Sequence, residues 1–515
     1  MPFPLLAYII ILAISAAISY LLRPKPEEPD AAGLADWDIA TCEQGTTYGI
    51  IFGRPPRFHS TMVLWYGDYY AKKIKDHDTT IGYAYHLGVH LGLCHAYVDG
   101  VLQIWVKDRC FWPTLDDETV YLADGETYIY VSRGDIWGGR HEGGGVLLPI
   151  YVLYGGSTQA ANDYLKTHQD GADTPRYRGI TSLVFKHAYW GKSPQLPKVG
   201  VVCKRTNVLH DGTAMWYIAK AVIGTDDDLN IIHVIRECLT SSIFGRGIST
   251  DDIDATTFEA AADTLYTEGY GISYRYLPGD GSISSFLSTL EQIMDGIILY
   301  NHATGKYEIK LIRDDFNSAT LDEYDEDDFS IQTFHRPTYF QVPSETVVNY
   351  MDVASAKKAP AKEDDLALME LQGMNPVSQT FTWLMVTDKV LAQKLAAREQ
   401  DQASKMPASL RLCAKRTMHS HVRGDVFKVS HPRLTSAGIA SMTVRMVSGD
   451  RGTLEDGMLY IDVVEEIFED IVVTDGSSGE SETSVPPEVV YDGLQENITV
   501  TFNVMEVSII NESVS

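Results

Sequence analysis

The chain reads as mainly β with α+β modules: several barrel- or sandwich-like β domains behind an N-terminal hydrophobic helix. Three observations carry that reading. Its 515 residues exceed the roughly 250–300 at which a single core stops growing, so several domains are expected. Between Thr80 and Asp108, the residues Tyr83, Tyr85, Leu87, Val89, Leu91, Leu93 and His95 occupy alternate positions, the period of a strand with one apolar face. Further on, Ile231, Ile232, Ile235 and Leu239 return at the spacing of a helix face, and comparable patterns follow up to Asp295.

The composition is that of a globular protein, with 44% hydrophobic and 10% aromatic residues. A formal net charge of −28 argues against a surface that grips nucleic acid through its phosphates, which takes Lys and Arg to displace counterions. Six cysteines (Cys42, Cys94, Cys110, Cys203, Cys238 and Cys413) show no CxxC pair or regular spacing, and read as reduced, mostly buried thiols of a protein folded in a cytoplasm.

The first element, Leu5–Leu22, is apolar apart from two serines and just reaches the ~18–20 residues a bilayer-spanning helix needs. On residues alone a signal anchor is favoured over a cleaved signal, because no Lys or Arg precedes the run and no small-x-small site follows it. Residues 23–30, RPKPEEPD, form a stiff Pro-rich spacer. In residues 49–68, GIIFGRPPRFHSTMVLWYGD, the apolar runs Ile50–Phe52 and Met62–Tyr66 flank the turn former Gly53-Arg54-Pro55-Pro56 and predict strand, turn, strand. The long strand Thr80–His95 turns at Val98-Asp99-Gly100 into a second strand, Val101–Lys107. Its His86, His90, Cys94 and His95 do not read as a metal set, because a period-two strand strings such residues along its length. Residues 134–148, GDIWGGRHEGGGVLL, lack GxxxxGK[ST] and a strand-loop-helix context, so they read as a flexible link rather than a phosphate loop.

Helices are expected over Asp228–Leu239, from about Thr250 to Gly269, and over Ser282–Asp295. A hairpin follows, Ile297–Tyr300 with Tyr307–Ile312. Asp251, Asp252, Asp254, Glu259 and Asp263 read as a solvated face, with no cleft to perturb a catalytic pair. Asp322–Asp328, DEYDEDD, is an exposed acidic run without EF-hand spacing. Then come a strand at Val347–Asp352, a polar loop at Lys357–Asp365, a long helix from Asp388 to about Lys405, and strands at Ala408–Ala414, Asp425–Ser430, Met442–Met446 and Tyr460–Glu465. Residues 476–482, GSSGESE, are a linker, and Ile498–Ile510 alternates like a terminal strand that must pair with something. The resulting domains are 1–26, the hydrophobic helix; 27–215, a first β-rich region of two interleaved domains; 216–345, an α+β module; 346–470, a second β-barrel region with the long helix; and 471–515, linker and terminal strand. No catalytic, cofactor-binding or metal-ligating residue set is expected, and no cofactor.

Several stretches, taken in order, resemble the phage tail hub family, also called tail-tip or tip-attachment proteins and related to the central baseplate hub of contractile tails. They are Phe52-Gly53 with Trp65-Tyr66-Gly67-Asp68; the Cys94 strand, turn and Ile104-Trp105; Tyr154-Gly155 with Thr158-Gln159; Asn162-Asp163-Tyr164-Leu165; Pro175-Arg176-Tyr177-Arg178-Gly179-Ile180; and Gly191, Pro194 and Leu196-Pro197 before the strand Val199–Lys204. The middle region continues with Ala261-Ala262-Asp263-Thr264-Leu265-Tyr266 and Leu311-Ile312-Arg313-Asp314-Asp315, and the last with Asp365-Leu366-Ala367, Gly373, Ser378-Gln379-Thr380 and Gly424-Asp425-Val426.

The resemblance spans most of residues 45–470. It implies a non-enzymatic structural protein of the virion tail tip, made in the host cytoplasm: a homotrimeric ring or plug around the tail axis. Such a hub joins the tail tube and distal tail protein to a central fibre or spike, contacts the tape measure protein and gates DNA release. It further implies that DNA passes through an acidic lumen without specific binding. Under it, Leu5–Leu22 either packs with its copies on the axis, as a plug or against the tape measure protein, or contacts the host membrane. Longer family members continue into receptor-binding domains, and this chain does not extend so far. The alternatives are a membrane-anchored bacterial surface protein, supported by Leu5–Leu22, and a tip-associated cell-wall hydrolase, for which no motif stands out.

Overall fold

The computed structural model describes residues 30–37, 39, 48–60, 62–76, 79–95, 97–106, 109–113, 118–121, 126–133, 146–169, 171–450, 452, 457–468, 501–502 and 505–506. The expected N-terminal helix, most of the Gly-rich stretch 134–148 and the linker 476–482 lie outside them. Two compact units result, 1–469 and 470–515. In the second, Thr501–Phe502 pairs antiparallel with Met505–Glu506, and the rest of the expected strand Ile498–Ile510 lies outside the described residues. Among those residues no helix is long and apolar enough to cross a membrane.

The first unit is mainly β with α+β modules and holds three large cores. The first lies between two antiparallel sheets. One has the order β3 (Met62–Asp76), β4 (Thr79–His95), β10 (Ile180–Gly191), β9 (Val146–Leu153), β8 (Glu126–Arg133), β7 (Glu118–Tyr121); the other β2 (Phe58–His59), β11 (Val199–Lys204), β5 (Gly100–Val106), β6 (Arg109–Trp112). Leu87, Val89, Leu91 and Leu93 of β4 meet Ile104 and Val106 of β5 and Val201 of β11 in that core, as the alternation predicts. The opposite face of β4 is also covered. Helix α1 (Asp163–His168) covers Gly88, Tyr177 covers His90, and Tyr48 and Leu64 cover Gly92, so these three are buried as well. A Cβ at Gly88 would collide with the Tyr164 hydroxyl, which is why this position is glycine.

The second core is helical. It gathers α2 (Ile231–Thr240), α3 (Ala255–Glu268), α4 (Ile283–Met294) and the long α6 (Lys389–Ser404). Each starts at a side-chain cap: Asn230, Asp254, Ser282 and Asp388 accept bonds from backbone N–H groups of the first turn, satisfying donors that have no intrahelical partner. Gly269, at φ 80°, closes α3 in the left-handed conformation. Short strands β12 (Val222–Ile223), β13 (Asp228–Asn230) and β14 (Gly271–Ile272) form one sheet here. The hairpin β16 (Gly296–Asn301) and β17 (Lys306–Leu311) and the sheet β21 (Lys357–Asp364), β20 (Glu345–Asp352), β22 (Ser378–Thr382) complete the layer.

Two expectations are corrected. Asp228–Asn230 is a strand that ends in the Asn230 cap, so the helix begins only at Ile231. Lys357–Asp364 is a strand, not a loop: it pairs along its whole length with β20. It reads as polar because it is an edge strand in which only Ala361 is buried.

The third core fills the sheet β18 (Glu323–Tyr324), β24 (Val426–Val429), β25 (Met442–Asp450), β26 (Leu459–Glu465), β23 (Ser409–Ala414), β19 (Phe329–His335). All its pairings are antiparallel except β18 with β24. Helix α5 (Leu366–Leu371) precedes β22, and α7 (Pro432–Thr435) precedes β25.

Residues 49–68 hold two of these cores together. Strand β1 (Ile50–Phe52) pairs with β15 (Tyr274–Tyr276) rather than with β3. Ile51 enters the β core while Ile50 and Phe52 enter the helical core, the alternation of a strand buried on both faces. Gly53 then adopts φ 66°, and a Cβ there would lie 2.5 Å from Ser273 Oγ and 2.6 Å from Ile272 O. Gly53→Ala is expected to cost about 1–2 kcal/mol of stability; a chemical denaturation midpoint equal to wild type would refute it.

Candidate functional site

The histidines and cysteine of β4 do not come together. His90 is fully buried, hydrogen-bonded to Ser182 Oγ at 2.9 Å, and burial pushes its pKa down to about 3, so it is neutral. Burial also pushes the Cys94 thiol up to about 12. His95 lies toward the end of the strand, its pKa lowered by burial and by His210. His86 instead faces the surface group described below. Among the described residues no group of three or more His, Cys, Asp or Glu is placed to hold a metal ion.

The carboxylates of the middle module are likewise separate. Asp251 and Asp252 are exposed in a 3-10 turn, Asp254 is the α3 cap and Glu259 is exposed. Asp263 accepts the Tyr217 hydroxyl at 2.8 Å. The acidic run 322–328 borders an open surface cavity of about 500 Å³, lined by Asp325, Glu326, His431 and neighbouring residues.

Three polar constellations stand out in the structure, and motif reasoning finds none of them. The first bolts the β core to the helical core. Arg205, the residue after β11, is 0% exposed. Its Nη1 donates to both carboxylate oxygens of Glu237 on α2, at 2.8 and 2.9 Å, and its Nε donates to the Ile51 carbonyl. The guanidinium lies 5.0 Å from the Phe52 ring centroid. His210 adds its backbone N–H to Glu237 at 3.1 Å. Burial acts to raise the Glu237 pKa, but Arg205 and His210 outweigh it and hold the carboxyl below its ordinary range.

The second is Asp228 in β13, which is 5% exposed. It accepts the hydroxyls of Ser273 and of Thr387, the latter at 2.8 Å. Burial pushes its pKa up to about 6, against the two hydroxyls, and Asp226 and Asp388 raise it further. Three segments far apart in sequence meet there.

The third lies on the first sheet. Bulges in β3 and β10 interrupt their registers with β4, between Gly67 and Tyr70 and between Phe185 and Ala188. At these bulges Asp68 and His187 adopt φ 49° and 44°, left-handed values uncommon outside glycine. Asp68 thereby accepts the Tyr164 hydroxyl of α1 at 2.7 Å and faces His187 Nδ1 at 3.1 Å and His168 Nε2 at 3.5 Å. His86 stacks on His187 with ring centroids 5.2 Å apart. The Tyr164 hydroxyl also accepts from the His187 backbone N–H at 3.1 Å, so it ties helix to sheet through both bulges. Burial, then Asp68, raises its pKa, keeping it protonated as a donor. Tyr164→Phe should therefore cost about 1–2 kcal/mol, read by denaturation; an unchanged midpoint would show that the hydroxyl carries no net weight.

Chemically, these groups are already engaged with one another. Arg205–Glu237 and Asp228 are interior fastenings, and Asp68 is an anchor for α1. The arrangement can lock modules in register.

No family model and no curated protein matches the sequence. Among solved structures, the chain is similar to a chain of the virion of a native gene transfer agent particle, with TM-score 0.54 at 12% identity over 90% of this chain and 97% of that one. That likeness is one of fold. The tail protein from Neisseria meningitidis MC58 (TM-score 0.28, 10% identity, 72% of this chain and 97% of that one) and the 43 kDa tail protein of prophage MuSo2 from Shewanella oneidensis (0.25, 10%, 74% and 90%) superpose too loosely to bear on it.

Proposed function

We propose that the protein is a structural component of the tail of a phage or phage-like particle, and within it the hub at the tip: a homotrimeric ring or plug that joins tail tube and distal tail protein to a central fibre or spike and gates DNA release. The observation that carries this reading is the fold shared with a gene transfer agent virion chain along nearly the full length of both. The ordered resemblance of residues 45–470 to tail hubs supports it independently. In this reading the first β core and the third sheet are the ring-forming modules, and the helical core with its short sheets is the α+β module that joins them. Residues 1–26 act on the axis or at a membrane, and 471–515 reach a fibre or a neighbouring copy. A net charge of −28 suits a wall along which DNA slides, since like charge keeps the polymer off it. The interior constellations serve such a part by holding modules rigidly while neighbours pull on them.

Imaging of intact particles, with the symmetry of the tip tested rather than imposed, is the deciding experiment. The expected result is three copies of this fold around the tail axis. Density for the chain elsewhere, or as a single copy off the axis, would overturn the hub reading. Zymography on peptidoglycan addresses the hydrolase alternative, with no clearing expected. Deleting residues 1–26 is expected to impair assembly or infection; particles that assemble and infect normally would remove the role given to that segment.

A further inference from the structure

A strand at the edge of a sheet presents unpaired backbone groups, and proteins blunt such edges with charge, proline, bulges or shortness. Most described edges here follow that rule. Strand β3 carries Lys72, Lys73 and Lys75, and β21 carries Lys357, Lys358, Lys362, Glu363 and Asp364 with Pro360. Strands β2, β12, β14 and β18 are two residues long, and β6 has four with Arg109. Strand β16 is uncharged but packs against α4, whose Glu291 accepts the Ile298 N–H at 2.7 Å.

Two edges differ. Strand β22 (Ser378–Thr382) contains no Lys, Arg, Asp, Glu or Pro, and all of it but Phe381 is exposed. No described strand pairs with its outer side. Strand β19 is also uncharged and ends the third sheet. Arg433 occupies its Ile331 carbonyl at 3.1 Å and a register shift falls at Gln332, so the open run is Gln332–His335. Both edges hold the same tripeptide, Gln332-Thr333-Phe334 and Gln379-Thr380-Phe381. Each also has an apolar counterpart for the other. Next to β19 is a cavity of about 150 Å³ lined by Ile331, Gln332, Phe334, Arg433, Leu434 and Ala437. Next to β22, Met374 and Val377 stand 71% and 38% exposed. The charged side chains at these edges are already engaged, Glu345 with Lys362 at 2.7 Å, Arg411 with Asp462 at 3.9 Å and Arg433 with the Ile331 carbonyl, so backbone and apolar groups are what the edges offer.

We infer that β22 of one copy pairs with β19 of the next, extending one sheet into the other, with an apolar side chain from the β22 flank entering the cavity beside β19. Two different patches joined head to tail generate a ring when the rotation closes, so this inference deepens the ring reading and rests on it. An uncharged edge of four to five residues supplies main-chain hydrogen bonds, and the pocket beside it supplies register.

The test uses the full chain in solution, with mass measured by sedimentation or mass photometry at micromolar concentration. Wild type is expected to form a closed oligomer. Thr380→Lys and Thr333→Lys each place a charge on one edge and are expected to reduce the oligomer at least tenfold without changing the thermal melt; Gln379→Lys and Gln332→Lys serve if either first variant folds poorly. An equimolar mixture of T380K and T333K retains one intact junction per pair and should give dimers and nothing larger. Full-size oligomer in both variants would overturn the β22–β19 pairing while leaving the ring reading standing. Dimers of T333K alone would mean that β22 meets itself, which also overturns it. A wild-type monomer would refute the ring reading and this pairing with it.

Discussion

Replacing Glu237 with Gln is expected to lower the stability of the protein by about 3–5 kcal/mol. The substitution keeps shape and volume but removes the negative charge, leaving the Arg205 guanidinium 0% exposed and without its bidentate partner. Burial of an uncompensated charge, rather than loss of a hydrogen bond, sets that size. A buried ion pair gains little over a packed apolar pair, yet breaking it from one side is costly. The exposed pair Arg336–Glu465, at 2.7 Å, provides the contrast: Arg336→Ala should cost under about 1 kcal/mol, because solvent already screens it. The pH dependence has a definite sign. Glu237 has a folded pKa below its unfolded value, so its contribution is present above the ordinary carboxylate range and is lost as pH falls through the folded value. The deficit of E237Q should shrink accordingly in acid. Denaturation of wild type and E237Q across pH measures this; a deficit below 1 kcal/mol at neutral pH would mean that the two cores are not joined through this pair.

The placement of that pair shows where sequence reasoning succeeds and where it stops. The alternation of β4 is a local signal, and the structure returns it as a strand with Leu87, Val89, Leu91 and Leu93 in the core. The four principal helices carry their caps in sequence, so their starts fall within a few residues of expectation. Residues 49–68 are legible as strand, turn and strand, but their partner is not: Ile51 pairs with Arg275, and no local pattern encodes so distant a register. Lys357–Asp364 is hidden for the opposite reason. An edge strand whose inner face offers only Ala359 and Ala361 among charged residues shows little apolar alternation, and only pairing with β20 makes it a strand. The polar constellations are invisible by the same logic, because Arg205 with Glu237, and Asp228 with Ser273 and Thr387, become neighbours only through tertiary packing. Asp228 even reads as a surface cap, being an acid just before a helix, until the fold puts it inside.

Asp228→Asn should raise stability at pH 7.5 by roughly 2–3 kcal/mol, because a shift from 3.8 to about 6 corresponds to about that much free energy spent on holding the charge in the interior. Asn keeps an oxygen that accepts from Ser273 and Thr387, so the three segments stay tied while the charge is gone. In the native state the carboxyl binds its proton more tightly than in the unfolded chain. Its favourable contribution is therefore complete below about pH 4 and disappears as pH rises through about 6. D228N and wild type should accordingly converge near pH 4 and separate above pH 6, with the variant the more stable. That is the reverse of the E237Q pattern, in which the variant is the weaker protein and the gap also closes in acid. Two buried carboxylates, one paired with a cation and one with hydroxyls alone, thus predict opposite signs from the same burial. Urea denaturation of both variants at pH 4 and pH 7.5 separates the cases. An Asp228→Asn protein less stable than wild type at pH 7.5 would mean that the ionised carboxylate, and not the acid, is the form this interior is built to hold.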